Sequence, residues 1–505
     1  MKMNPLNAID FYKADHRRQY PEGTTEVYSN FTARSARLGK VIRESYDNKI
    51  VFFGLQYFIK DFLIDAWNES FFKKEKNKVI ADYKRRMDYA LGKDSIDVSH
   101  IAALHDLGYL PLRIKALPEG SRVPIGVPVL TMVNTHPEFF WLTNYIETVI
   151  SSYLWKPTTS ATTAYEYKKL LTDYALRTGS PVELVQFQAH DFSFRGMSSM
   201  QDAAISGAGH LTSFWGTDSI PSIDLMEDYY QADVETEMVG CSVPATEHSV
   251  MCMGMQDGEL STFRRLISDL YPSGIVSIVS DTWDFWKVIT EYTVLLKDDI
   301  LSRNGKVVIR PDSGDPIKIV AGDPDAPKGS AEHKGAIQCL WDVFGGTITD
   351  KGYKMLDSHI GLIYGDSITL ERAQAILIRL EENGFASTNV VFGVGSFTYQ
   401  YVTRDNFGFA MKATSGVVDN ERRDIFKDPK TDSGIKKSAK GLLRVTSSGD
   451  RLVLHDKQTE EQEKHGLLKV VFEDGVCSNT ASLTDIRNRI DAELSKQQGA
   501  ILEKT

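Results

Sequence analysis

The chain has little of what would tie it to a metal cluster, a membrane or a nucleic acid. Its 505 residues hold four cysteines, Cys241, Cys252, Cys339 and Cys477, none in C-x-x-C spacing. Neither a disulfide framework nor a cysteine zinc site is expected, and the thiols read as reduced and packed. The N-terminal "MKMNPLNAIDFYKADHRRQYPEG" has no apolar signal core, and the most apolar helical stretch, "PEFFWLTNYIETVISSYLW", is broken by Glu, Thr, Asn and Ser. That falls short of the ~18 apolar residues a bilayer crossing needs, so a cytoplasmic protein without a membrane partner is expected. Positive charge is not in excess either. A formal net charge of -10 argues against a surface built for nucleic acid, and any phosphate site must be a local concentration of cations. Internal repeats and low-complexity tracts are missing. What is present, 42% hydrophobic and 25% charged residues, suits an ordinary globular protein long enough for two or three domains.

Residues 50 to 100 alternate apolar and charged positions at helical spacing, and their Lys run reads as a solvated helix face. Between 110 and 133, "LPLRIKALPEGSRVPIGVPVLTMVN" carries short β-type runs punctuated by Pro and Gly, which predicts a small antiparallel sheet. The middle of the chain has another rhythm. Four apolar, β-branched runs end in Asp, Gly or Ser and give way to helical patterns: "SGIVSIVSDTWD", "KVVIRPDSGD", "IGLIYGDSIT" and "NVVFGVGS". Parallel strands read this way, in a closed barrel or an open doubly wound sheet, and in both the site lies at the strand C-terminal ends. After residue 440, "GLLRVTSSGDRLVLHD" and "LLKVVFEDGVCS" predict two hairpins. The closing helix "SLTDIRNRIDAEL" has Ser482 and Asp485 at capping-box spacing and Ile486, Ile490 and Leu494 on one face.

Several short motifs carry chemistry. "YGDS" and "FGVGS" put glycine where a strand ends, so backbone N–H groups can approach an anion; tight-turn glycines would look the same, but two such loops late in a strand series favour a phosphorylated ligand. Arg310 in "VVIRPDSGD" would be costly to bury unpaired. Asp312 and Asp315 are near enough to compensate it, or its guanidinium fork is aimed at a phosphate while a carboxylate serves ribose hydroxyls or a magnesium shell. Asp281 and Asp284 of "SDTWD" are expected on the same face. In "SVPATEHSVMCMG", Pro244 suits a first helical position and would set Glu247 and His248 in the first turns, where the dipole favours a neutral imidazole able to accept a proton or a phosphoryl group. "HDFSFRG" pairs an aromatic with an Arg at i+3, enough to stack on a flat ring and hold an anion.

Taken in order, "DFYKADHRRQYPEGTTEVYSNFTAR", "GLQYFI", "WLTNYIET", "HDFSFRG", "GTDS", "SVPATEHS", "SDTWD", "IRPDSGDP", "YGDS", "TRDNFGFAMK" and "IFKDP" resemble the nicotinamide phosphoribosyltransferase family, of the type II phosphoribosyltransferases, over nearly the whole chain. Residues 65 to 105 match least and read as an enlarged helical insertion. The resemblance implies an irregular TIM-like α/β barrel of parallel strands with a second, mixed β-rich and helical domain built from both chain ends. Its segments are 1–150, 151–410 for the barrel, and 411–505. It implies joining nicotinamide to phosphoribosyl pyrophosphate with Mg²⁺, ATP as a coupled substrate, and a homodimer with shared sites.

By the same resemblance Arg310 contacts the phosphoribosyl and pyrophosphate groups, and Asp312 holds ribose hydroxyls and helps organise the magnesium-bound substrate. Phe192 and a neighbouring subunit's Tyr12, with Asp10 beside it, would enclose the pyridine ring. Asp218 would accept the carboxamide N–H and disfavour nicotinate. Arg195 and Ser280 belong to the base and ribose surroundings; Gly365, Asp366, Gly395 and Ser396 would line the phosphate, Ser396 standing where the family often has glycine. Arg404, Lys412, Arg34, Lys427 and Lys436 resemble the cationic set reaching the phosphates, and His248 corresponds to a histidine phosphorylated by ATP. Two alternatives stand beside this reading: a nicotinate phosphoribosyltransferase, and a catalytically silent nucleotide-binding regulator on the same scaffold.

Overall fold

The four β-branched runs form strands Ser273–Val279, Asn304–Arg310, Ile360–Tyr364 and Val390–Val394, whose Val276, Ile278, Val307, Ile309, Leu362, Val390 and Phe392 are buried. Strands covered on both faces need apolar residues at consecutive positions, as Ile360–Tyr364 and Val390–Val394 come near to having, whereas burial alternates along Asn304–Arg310. The structure is a computed structural model and describes residues 4–39, 46–365, 367–426 and 439–502, without the side chains of 498–502. The chain divides into two units, one of Met1–Thr162, Leu225–Ala232 and Val402–Glu493, the other of Thr163–Asp224, Asp233–Tyr401 and Leu494–Thr505.

In the second unit the four strands pair in parallel and are joined by the short Ala189–Asp191 and Gly216–Thr217. The order is Gly216–Thr217, Ala189–Asp191, Val390–Val394, Ile360–Tyr364, Asn304–Arg310, Ser273–Val279, a curled six-stranded half-barrel. Its two edges are linked through residues 241 to 246. Cys241 bridges Gly216 and Ala245 bridges Ser277, both in parallel sense. The Cys241 N–H donates to Trp215 O at 2.7 Å, and Ser277 N–H donates to Pro244 O at 2.9 Å. Pro244 therefore lies in this linking segment and does not open a helix as its sequence suggests. Its carbonyl is taken by the strand edge, and the helix His248–Met253 begins four residues later with Glu247 at its cap. Tertiary pairing overrides the local preference of Pro for a first helical turn.

The first unit is built on a seven-stranded sheet in the order Glu421–Asp424, Ala410–Val418, Thr24–Thr32, Pro128–Asn134, Leu112–Ala116, Lys469–Glu473, Val476–Cys477, antiparallel throughout and drawn from both chain ends. The expected strands between 110 and 133 and the two C-terminal hairpins are all there. Ser482 and Asp485 exchange the capping-box bonds, Ser482 N–H to Asp485 Oδ2 at 3.0 Å and Asp485 N–H to Ser482 Oγ at 3.1 Å, and Ile486 and Ile490 are fully buried. In Lys76–Leu91 the buried stripe is Val79, Tyr83 and Met87, with Lys78 on the solvated side; Lys73 and Lys74 are exposed too but precede the helix. No described helix is long and apolar enough to cross a membrane.

Candidate active site

The C-terminal ends of the parallel strands open on a cavity of about 770 Å³, lined by Asp191, Phe192, Phe194, Arg195, Asp218, Arg310, Asp312, Gly365, Ser367, Gly395, Ser396, Phe397 and Tyr401. Arg310 is the last residue of its strand, and its side chain is 16% exposed. Its Nη2 stands 3.8 Å from Asp312 Oδ2, too far for a hydrogen bond, and its buried Nε has no partner among the described residues. Asp315, the other carboxylate expected to compensate it, instead accepts from Ile317 N–H and Lys318 N–H and caps the helix Pro316–Ala321. The guanidinium thus keeps unspent donors at the cavity wall. Fully buried Ser280 does not line the cavity; its N–H donates to Arg310 O at 3.0 Å and holds the strand end in place.

The Arg310 guanidinium lies 5.1 Å from the centroid of the Phe192 ring, within reach of a cation–π contact. Phe192 is set by its N–H donating to Val394 O at 3.0 Å. Behind the ring the chain has glycine for a steric reason: a Cβ on Gly393 would stand 2.5 Å from Phe192 Cδ2 and 2.6 Å from Gly365 Cα. The Ser396 side chain fills the space beside Gly196, where a Cβ would come within 2.2 Å of its hydroxyl. Gly395 caps the four-residue helix Ser396–Tyr399. Gly365 does not start a helix; the next one begins at Leu370, capped by Thr369.

Asp218 follows the edge strand Gly216–Thr217, and its Oδ1 accepts from His190 Nε2 at 2.9 Å and from the Ser242 hydroxyl at 2.6 Å. Burial pulls its carboxyl upward, but these bonds and the Arg310 charge outweigh it and hold Asp218 below the ordinary carboxylate range. His190 and Ser242 were not singled out by the sequence reading. The signal for His190 was its place at the head of "HDFSFRG"; nothing local marks Ser242.

His248, half exposed, pairs through Nε2 with Asp281 Oδ1 at 3.1 Å. The nearly buried Asp281 uses Oδ2 to accept from Asp312 N–H at 2.8 Å and from the Ser313 hydroxyl at 2.6 Å. One carboxylate thus ties the histidine to the loop after Arg310. Asp284 caps the next turn, accepting from Lys287 N–H at 3.1 Å. Asp10, Tyr12, Arg34, Arg404 and Lys412 belong to the first unit and are not among the cavity's lining residues. There Asp10 accepts from the Thr148 hydroxyl at 2.7 Å, Arg34 donates to Gly408 O at 3.0 Å, Arg404 pairs with Asp405 at 3.2 Å and Lys412 lies 3.8 Å from Glu147. Asp366, Lys427 and Lys436 lie outside the described residues. Among the described residues no group of three or more His, Cys, Asp or Glu is arranged to hold a metal ion. Asp312, beside Arg310, has the chemistry of one oxygen ligand to a hard divalent cation, whose other ligands would have to come from outside the described residues.

Under this floor, fully buried His210 faces Gly216 O through Nε2 at 3.0 Å and the Tyr399 hydroxyl through Nδ1 at 2.7 Å. A carbonyl only accepts, so Nε2 carries the proton and Nδ1 accepts from Tyr399. Burial pushes the imidazole down to about 4. The unfolded chain, with an ordinary histidine, binds the extra proton between about pH 6.5 and 4, so this group's stabilisation is complete above that window and is lost as pH falls through it. Denaturant midpoints measured from pH 7.5 to 4.5 should fall less steeply in His210→Asn than in the parent, by on the order of 3 kcal/mol at the acid limit; equal slopes would remove His210 as a source.

The residues 187–476 match the nicotinate phosphoribosyltransferase family model, and residues 4–113 match that of the nicotinamide phosphoribosyltransferase N-terminal domain. Over 499 residues, 98% of each chain, the sequence is 62% identical to a nicotinamide phosphoribosyltransferase of Acinetobacter baylyi, and over 500 residues, 97% of this chain and 98% of the other, it is 33% identical to one of Xanthomonas campestris pv. campestris. Among solved structures, nicotinate-nucleotide pyrophosphorylase from Pyrococcus furiosus aligns with a TM-score of 0.56 at 12% identity, covering 98% of this chain and 96% of that one. Human nicotinic acid phosphoribosyltransferase gives 0.51 at 15%, covering 96% and 93%. At such identities these structures speak to the fold.

Proposed function

This chain belongs to the nicotinamide phosphoribosyltransferase family, and on that footing we propose that it transfers the phosphoribosyl group of phosphoribosyl pyrophosphate to nicotinamide, releasing pyrophosphate and forming nicotinamide mononucleotide for NAD salvage. The observation that carries this reading is one cavity holding a guanidinium with unspent donors, an aromatic face and an anionic carboxylate: Arg310, Phe192 and Asp218.

The pyridine nitrogen of nicotinamide is unprotonated at neutral pH and needs no general base. Its lone pair forms the bond to ribose C1 as the C1–O bond to pyrophosphate breaks, the electron pair leaving on the pyrophosphate oxygen. Phe192 stacks the ring, Asp218 accepts from the carboxamide, and Arg310 stabilises charge gathering on the departing group. Asp312 takes ribose hydroxyls and would be the carboxylate to hold a magnesium ion arriving with the substrate, which would supply further charge neutralisation. Arg195, Gly365, Asp366, Gly395 and Ser396 surround the nucleotide.

His248, steered by Asp281, accepts the γ-phosphoryl group of ATP as ADP leaves, and water later takes that group from the imidazole as inorganic phosphate, coupling ATP hydrolysis to substrate binding. The catalytic unit is a homodimer in the cytoplasm. Tyr12, 59% exposed beside a Lys13 anchored to Asn144 and Glu147, is offered with Asp10 to the neighbouring site, and Arg34, Arg404, Lys412, Lys427 and Lys436 complete the shared cationic rim.

Mononucleotide formation with nicotinamide or nicotinate, each with and without ATP, tests the assignment. Preferred use of nicotinamide is the expected result, and no turnover of either base would overturn it. His248→Ala should keep basal synthesis while losing ATP stimulation; intact stimulation would remove His248 from the coupling.

A further inference from the structure

Two donors fall on the same oxygen of Asp218. His190 Nε2 and the Ser242 hydroxyl both meet Oδ1, at 2.9 and 2.6 Å, and among the described residues no protein donor meets Oδ2. We propose that His190 is a specificity-determining residue, acting through Asp218: it saturates one carboxylate oxygen so that the other is presented to the base as a pure acceptor. The proposal rests on the transfer reaction above, in which Asp218 meets the carboxamide.

The ring of His190 is itself fixed. Its strand register sets it opposite Gly216, where a Cβ would come 2.8 Å from Nδ1, and its centroid lies 4.8 Å from that of Phe192. The side chain is 12% exposed, whereas that of Asp218 is 46% exposed. A carboxylate so open would otherwise rotate and divide its time between solvent and base. Because a carboxylate accepts and never donates, Nε2 carries hydrogen whether the imidazole is neutral or charged. With Oδ1 saturated, Oδ2 matches an amide N–H₂; a nicotinate carboxylate brings only lone pairs and like charge against it.

The test compares kcat and KM for both bases in the full-length enzyme and in His190→Phe, His190→Gln, His190→Asn, Asp218→Ala and the Asp218→Ala/His190→Phe double variant. His190→Phe keeps the ring and should lower kcat/KM for nicotinamide by roughly 10- to 100-fold, the range for losing a hydrogen bond to a charged group. The change should sit in the KM for nicotinamide, leave that for phosphoribosyl pyrophosphate in place, and spare nicotinate. His190→Gln, whose amide can reach Asp218, should retain most of the preference, and the shorter His190→Asn should not. In the Asp218→Ala background the Phe substitution should add no further loss.

An unchanged base ratio in His190→Phe, or an equal loss in the Asp218→Ala background, would reduce His190 to a packing residue and overturn the proposal. Should His190→Phe fail to fold by thermal melting, the Gln and Asn pair decides it, and equal behaviour of the two overturns it. Parent enzyme inactive on both bases would instead sink the transferase reading, a result visible before any variant is made.

Discussion

Arg310→Ala is expected to lower kcat/KM by roughly 10²- to 10³-fold, the scale seen when one preorganised donor to a developing oxyanion is removed. The loss should appear in kcat as well as in the KM for phosphoribosyl pyrophosphate, because charge accumulates on the pyrophosphate as the bond to ribose breaks. Arg310→Lys should recover little, since an ammonium lacks the planar fork that grips two phosphate oxygens. Stability should behave in the opposite way. Among the described residues the buried Nε of Arg310 has no partner and its guanidinium stands 3.8 Å from Asp312, so removing it relieves a poorly compensated charge. Tm is therefore expected to hold or rise. Activity within about tenfold of the parent would show that the guanidinium does not serve the leaving group.

Asp218→Asn is expected to turn the base preference round. His190 and Ser242 donate to one oxygen of the native carboxylate, and in the variant they would hold the amide oxygen in that place. The amide nitrogen then stands where Oδ2 was, replacing an acceptor by a donor. Nicotinamide loses its partner and nicotinate gains one without meeting like charge. A shift in the kcat/KM ratio on the order of 10²-fold or more is expected, because a site built around one hydrogen-bonding pattern rejects its mismatch strongly. An unchanged ratio would mean that Asp218 does not touch the base.

What the sequence by itself determined is the set of long regular features. The four parallel strands were legible because each carries a cluster of apolar, largely β-branched residues that ends in a polar or glycine-containing loop, and the C-terminal helix because Ser482 and Asp485 cap it reciprocally. Arg310, at the end of the second of those strands, and Gly365 and Gly395, just past the ends of two others, were legible for the same reason. The resemblance over nearly the whole chain supplied the chemistry that composition alone leaves open.

What only the tertiary structure decided is how short or polar segments are used. Ala189–Asp191 and Gly216–Thr217, of three and two residues, are too brief to carry a period, yet they bring His190 beside Asp218. Pro244 is drawn into the link between sheet edges although its local preference is for a helix start. Asp281 and Asp284, three residues apart in one motif, part company: one holds His248 and the loop after Arg310, the other caps a turn. A carboxylate offers the same acceptors to a cap, a histidine or a substrate. Which of them it meets depends, for Asp218 and Asp281, on groups tens of residues away, brought within 3.1 Å by tertiary packing that no local pattern encodes.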